Sequence, residues 1–236
     1  MLIHGLQKMT LLDFPGRVAC TVFLGGCDFR CPFCHNSDLL DMNAKAVMDD
    51  AELLRFLKSR QGLLDGAAFT GGEPLLRQDL PELFREVKAL GFAVKLDTNG
   101  THPERLASLI RDGLVDYVAM DVKNSPERYA ATVGRGRAGD SFEDSLNSIR
   151  RSIALLLEGR VPYEFRTTVV HELHDDGSFR GIGEMIRGAE QYFLQCYTDR
   201  DSVLIPGLSA PSRGDMDRYA GIIRPFVRNV QIRGMD

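Results

Sequence analysis

The chain has 236 residues, 44% of them hydrophobic and 26% charged, enough to bury a large core in one domain or two small ones. Lys and Arg number 29 against 33 Asp and Glu, and the formal net charge of −4 offers no basic footprint for nucleic acid or for an anionic membrane. No apolar run approaches the ~20 residues of a membrane span and the first ten residues lack the apolar stretch of a signal peptide, so the chain reads as a cytoplasmic protein.

Strand-like and helix-like segments alternate along the sequence. After a Leu12-Asp13-Phe14-Pro15-Gly16 turn, Val18 to Leu24 reads as a first strand that delivers a cysteine-rich loop at its carboxyl end. Asp49 to Ser59 reads as a helix with Leu53, Leu54 and Leu57 at helical spacing, and Ala67 to Thr70 as a short buried strand. Asp79 to Leu90 follows as a helix capped by Asp79 and stopped by Gly91. Phe92 to Leu96 is a strand, Pro103 to Arg111 a helix opened by proline, and Val115 to Met120 a strand. A loop precedes a longer helix over Ser141 to Leu157. Tyr163 to Val170 and Gln191 to Cys196 read as strands around a helix at Ser178 to Gly188, and Arg213 to Arg224 as a last helix before a strand at Val227 to Ile232. Strand then helix, repeated about six times, argues for parallel strands joined by right-handed crossovers. Periodicity alone leaves a closed barrel, a doubly wound sheet and an open part-barrel as alternatives.

Three of the five cysteines lie in Gly26-Cys27-Asp28-Phe29-Arg30-Cys31-Pro32-Phe33-Cys34-His35-Asn36. A CxxxCxxC spacing offers three thiolates from one short loop, whereas a cubane iron-sulfur cluster or a structural zinc ion takes four ligands. A site with three protein ligands keeps one coordination position for chemistry. The competing reading is zinc with His35 as fourth ligand, against which stands the difficulty of bringing adjacent residues to one tetrahedral ion. Cys20, in a strand with Val18 and Val22, and Cys196, after Tyr192-Phe193-Leu194, read as small buried hydrophobes. An odd number of cysteines, three of them clustered, argues for a metal site in a reducing compartment over a disulfide framework.

A second pattern, Phe69-Thr70-Gly71-Gly72-Glu73-Pro74, is an apolar run entering a turn where two glycines free the backbone for the close approach of a ligand and Pro74 fixes the exit. Together these two motifs resemble those of the radical S-adenosylmethionine (SAM) enzymes. The resemblance implies that Cys27, Cys31 and Cys34 hold a 4Fe-4S cluster, that Phe33 lies near the adenine of SAM, and that the segment Thr70, Gly71, Gly72 and Glu73 holds the amino group of its methionine part. It also implies a partial (β/α)6 barrel in a single domain over residues 1–236, with site residues at the carboxyl ends of strands. Reductive cleavage of SAM to methionine and a 5′-deoxyadenosyl radical is the chemistry implied.

More narrowly, Asp97-Thr98-Asn99-Gly100 and Asp121-Val122-Lys123 are similar to segments of the activating enzymes of glycyl radical enzymes. Read without the family, they are turn residues and helix caps. Carried over by position, Asp97, Asn99 and Lys123 contact SAM, and Asp97, Thr98 and Asp121 share a monovalent cation. Arg166 lies inside a strand, where an arginine needs an anionic partner, and the family supplies the SAM carboxylate. The histidine that some activases place near the ribose on the sixth strand is replaced here by Leu194-Gln195-Cys196-Tyr197, which leaves that contact unassigned between Gln195 and Tyr197. His171 and His174 lack a zinc spacing and read as surface residues, and Gly134 to Gly139 reads as a mobile loop.

The likeness runs from Leu6-Gln7 and Asp13-Phe14-Pro15-Gly16 to Gln231-Ile232-Arg233-Gly234 and lies nearest the activating proteins of anaerobic ribonucleoside-triphosphate reductase. About 36 residues between Cys34 and Gly71 leave no room for the two-cluster ferredoxin insert of other activases. The partners implied are a glycyl radical enzyme as protein substrate and flavodoxin or ferredoxin as electron donor. Two readings compete: a radical SAM enzyme acting on a small molecule of deazaguanine type or on a peptide, and a non-catalytic iron-sulfur or zinc protein.

Overall fold

The computed structural model describes residues 2–135 and 142–235. Residues 136–141, which hold most of the expected glycine-rich loop and the first residue of the expected long helix, lie outside the described residues. In chain order the elements are β1 (Leu2–Ile3), β2 (Gly5–Thr10), β3 (Ala19–Leu24), β4 (Met48–Asp49), α1 (Asp50–Lys58), β5 (Gly66–Gly71), α2 (Leu80–Ala89), β6 (Ala93–Thr98), α3 (Pro103–Arg111) and β7 (Tyr117–Asp121). There follow α4 (Pro126–Thr132), α5 (Glu143–Leu157), β8 (Tyr163–Val169), α6 (Asp176–Met185), β9 (Gln191–Cys196), α7 (Arg213–Ile223) and β10 (Asn229–Arg233).

One sheet carries the strands in the order β10-β9-β8-β7-β6-β5-β3-β2. All neighbours are parallel except β2, which runs antiparallel along β3. This order settles the architecture. A doubly wound sheet needs a reversal of strand order, and here each parallel strand follows its predecessor in one direction, so right-handed crossovers put every helix on the same face. The edges β2 and β10 are not paired with each other. The sheet is therefore an open part-barrel of βα units, an α/β fold as the sequence implied.

Alternation along each strand divides the sheet into two chemically different faces. Val94 and Leu96 on β6, Val118 and Met120 on β7, and Phe165 on β8 pack with Leu83, Phe84 and Val87 of α2, Leu106 and Leu109 of α3, and Ile149, Ile153 and Leu156 of α5 in one buried cluster. The opposite parity carries Lys95 and Asp97 on β6, Tyr117 and Asp121 on β7, and Glu164 and Arg166 on β8. An apolar face against helices and a charged face turned away from them is what places ionisable groups inside the part-barrel.

The helices begin largely where expected. Asp49 caps α1 in a reciprocal capping box with Glu52. Asp79 stands at the start of α2 but makes no side-chain cap; its carboxylate lies 3.6 Å from Arg77 Nε. Three pieces escape the sequence reading. The edge strand β2, Gly-Leu-Gln-Lys-Met-Thr, lacks hydrophobic alternation because it is largely exposed. The two-residue pair β1–β4 is built from long-range pairing alone, Leu2 against Asp49 and Ile3 against Met48. The short α4 is hidden in what reads as a loop.

Candidate active site at the carboxyl ends of the strands

Strand β3 ends at Leu24 and passes directly into the cysteine loop, while neighbouring β5 ends in the Gly71-Gly72-Glu73-Pro74 turn. The two loops are stitched by main-chain bonds, Gly72 N to Leu24 O at 2.8 Å and Glu73 N to Gly26 O at 2.7 Å. Gly71 takes a φ of +113°, and a Cβ at Gly72 would fall inside contact distance of the Gly26 carbonyl. The glycines are required first by this backbone-to-backbone approach. The expected close approach of a ligand is thus shared with the cysteine loop, although Gly71 and Gly72 also line the cavity between the strand ends.

Cys27, Cys31 and Cys34 all line that cavity, with Phe33 between the last two and Thr70, Asp97, Thr98, Asn99, Asp121 and Lys123 around them. The three thiols are free, and burial pushes those of Cys27 and Cys31 up to about 12. Phe29 N donates to Cys27 Sγ at 3.4 Å, and Asn99 Nδ2 donates to Asp28 Oδ1 at 2.7 Å, tying the loop after β6 to the cysteine loop. His35, the competing zinc ligand, also lines the cavity, but its Nε2 is 2.7 Å from Thr198 O and its ring stacks on Tyr197 at 5.6 Å. Among the described residues no three His, Cys, Asp or Glu side chains converge on a single metal ion.

The charged face supplies the cavity's other wall. Register places Asp121 of β7 opposite Arg166 of β8, and Arg166 Nε donates to Asp121 Oδ1 at 2.9 Å and its NH1 to Asp97 Oδ2 at 3.3 Å. Lys95 donates to Asp97, and Lys123 Nζ to Asp121 Oδ2 at 2.9 Å. Burial works to raise both carboxyls, and Arg166 first, then Lys95 or Lys123, outweighs it: Asp97 is lowered and Asp121 is held at about 2. The Lys123 ammonium also stands 5.9 Å from the centre of the Phe33 ring, linking this network to the cysteine loop.

Residues 21–172 match the model of the radical SAM superfamily. The chain belongs to that superfamily. It is 30% identical over 240 residues, 98% of this chain and 95% of the other, to a Methanocaldococcus jannaschii protein provisionally named a glycyl-radical enzyme activating enzyme. It is 31% identical over 153 residues, 62% of each chain, to pyruvate formate-lyase-activating enzyme of Clostridium pasteurianum. Streptococcus suis SuiB bound to SAM shares the fold with a TM-score of 0.66 at 11% identity, over 91% of this chain and 52% of that one. The protein is therefore a radical SAM enzyme of the activating-enzyme group.

Radical SAM enzymes use a 4Fe-4S cluster and SAM, and the residues present fit both. Three thiols on separate positions of one loop, free of disulfides and not gathered around one ion, suit a cluster in which each binds a different iron. The charged wall beside them suits the polar methionine end of SAM.

Two residues expected in the radical SAM pocket do not line it. Glu73 is fully buried behind the turn, accepting from Leu75 N at 3.0 Å, Thr98 Oγ1 at 2.9 Å and Asn99 N at 2.6 Å. Arg166 stands one layer below the cavity, its anionic partners supplied by Asp97 and Asp121 within the chain. Asp97, Thr98 and Asp121, the residues expected to share a cation, all line the cavity; Lys95 and Arg166 pair with Asp97, Lys123 and Arg166 with Asp121, and Thr98 Oγ1 donates to Glu73 at 2.9 Å.

Neither Gln195 nor Tyr197 reaches the cavity, whereas Asn36 and Thr168, unremarked in the sequence, line it. Asn36 donates from Nδ2 to Gly71 O at 3.0 Å, a contact across 35 residues that no local pattern signals. His174, read as a surface residue, is 4% exposed.

The depressed Asp121 has a consequence for acid stability. A carboxylate lowered from 3.8 to about 2 stabilises the fold above its unfolded value, and that contribution is lost as pH falls through about 2. It amounts to about 2 kcal/mol. Asp121→Asn should lower the thermal midpoint at pH 7, and the gap from wild type should close between about pH 4 and pH 2. A gap that stays constant across that range would remove the ion pair as its cause.

Proposed function

We propose that this radical SAM enzyme activates a glycyl radical enzyme, with anaerobic ribonucleoside-triphosphate reductase as the partner. The observation that carries the reading is the likeness to a provisionally named activating enzyme across nearly the full length of both chains. The cysteine loop and the strand-end residues support it by standing together at one cavity.

In this reading the chain is one radical SAM domain over residues 1–236. Cys27, Cys31 and Cys34 hold the 4Fe-4S cluster, which with SAM supplies the 5′-deoxyadenosyl radical that takes hydrogen from a glycine of the partner. Phe33 borders the adenine. Thr70, Gly71 and Gly72 present backbone to the methionine amino group, with Glu73 bracing their turn from behind. Asp97, Asn99 and Lys123 meet the polar end of SAM, Arg166 orienting Asp97 and Asp121 from below. Flavodoxin or ferredoxin supplies the electron. No helix among the described residues is long and apolar enough to cross a membrane, which is compatible with a partner met in the cytoplasm.

Mixing anaerobically reconstituted protein with reductase, dithionite and SAM should give a glycine-centred doublet in the electron paramagnetic resonance spectrum and speed SAM cleavage, because the bound loop brings the target hydrogen to the radical. Cleavage without any glycyl radical, alongside turnover of a purine-like small molecule, would transfer the protein to the small-molecule reading.

A further inference from the structure

We propose that His174 is a positioning residue for SAM, acting at a distance by fixing the backbone of Lys123; the proposal rests on the reading of Lys123 as a SAM contact. Strand β7 ends at Asp121, and the last sheet-type bond beyond it is Val122 N to Arg166 O at 2.8 Å. The next residue, Lys123, is past the sheet, yet its side chain has to hold an ammonium at the cavity wall. Two side chains from outside β7 take over. Lys123 N donates to Tyr129 Oη at 3.1 Å, and His174 Nε2 lies 2.9 Å from Lys123 O.

The imidazole has a defined tautomer. Lys123 O can only accept, so the bond at Nε2 needs the proton there; Nδ1, 3.1 Å from Val170 N and 3.2 Å from Val170 O, then accepts from Val170 N in the neutral ring. Burial lowers the imidazole pKa, so the neutral form that makes both bonds is the one present at neutral pH. The ring packs 5.8 Å from Phe179 of α6, and the His174 carbonyl accepts from Tyr219 Oη of α7 at 3.2 Å. His174 thus ties a lysine on a flexible stem to the ends of two strands and to two helices.

The test compares two amides on the full chain with its cluster reconstituted. The side-chain amide introduced by His174→Gln reaches as far as Nε2 and can donate to Lys123 O, whereas the shorter side chain of His174→Asn reproduces only the Nδ1 side. SAM affinity by calorimetry should stay within about 2-fold of wild type in His174→Gln and fall about 5- to 10-fold in His174→Asn, with iron content unchanged. Lys123→Ala should lose about 10-fold or more, and adding His174→Asn to it should cost nothing further, because both act through one group. Equal affinities in the Gln and Asn variants, independent multiplying losses in the double variant, or a loss that only tracks the unfolded fraction in thermal melts would overturn the proposal. Wild-type affinity in Lys123→Ala would overturn it together with the Lys123 contact beneath it.

Discussion

Cys27→Ala, Cys31→Ala and Cys34→Ala should each yield protein without a stable cluster and without SAM cleavage, where anaerobically reconstituted wild type carries about four irons per chain. The expectation is all-or-none because the ligand set has no reserve. The three thiols come from one loop, the nearest histidine, His35, is engaged with Thr198 O, and no other His, Cys, Asp or Glu among the described residues joins them in an ion-sized site. Burial holds these thiols protonated in the metal-free protein, so iron has to displace their protons, and loss of one ligand removes a bond that solvent cannot replace equally. Cys20→Ala should keep its iron: Cys20 is fully buried among apolar neighbours and costs only packing, about 1 kcal/mol. Cys196→Ala, at the end of β9, should behave likewise. Iron analysis and the visible absorption of the cluster check all five variants. Stoichiometric zinc in anaerobically prepared wild type, or iron loss in Cys20→Ala, would sink the assignment.

Glu73→Ala should cost stability as well as SAM affinity, which separates it from a residue that merely touches the cofactor. Its carboxylate accepts from Leu75 N, Thr98 Oγ1 and Asn99 N, and so fastens the loop after β5 to the loop after β6. Truncation leaves buried donors without an acceptor at about 1 to 3 kcal/mol for each, not fully additive, out of a total stability of roughly 5 to 15 kcal/mol. Burial raises the carboxyl to about 8 against the pull of these three donors. A raised carboxyl stabilises the fold below its unfolded pKa, and that contribution fades as pH rises through about 8. Glu73→Gln, which keeps an acceptor oxygen without the charge, should therefore lose less than Glu73→Ala, and its deficit should shrink as pH is raised from 6 to 9. Chemical denaturation with the cluster absent measures this apart from cofactor binding. An unchanged midpoint in Glu73→Ala would mean that the clamp contributes nothing and that Glu73 acts on SAM alone.

The chemistry of this protein was legible in local spacing, because CxxxCxxC and Gly-Gly-Glu-Pro each work within one loop of a few residues. The alternation of strands and helices was legible for a similar reason: apolar faces repeat at short range, as Leu53 and Leu57 do on α1 and Val94 and Leu96 on β6. Whether the sheet closes, reverses or stays open was decided by strand order, a relation among segments many residues apart. The roles of individual charges were decided there too. Arg166 found its anions in Asp97 and Asp121 because register sets β8 beside β7, and Glu73 turned from the cavity to serve Thr98 and Asn99 across 25 and 26 residues. His174 went from an apparent surface residue to a buried one because Lys123 O and Val170 N meet only in the folded chain. Sequence patterns report which chemistry a loop can perform, since ligand type and spacing are local. Which buried charge faces which partner is set by long-range pairing, since a desolvated group must find its counter-ion or hydrogen bond wherever the fold brings one.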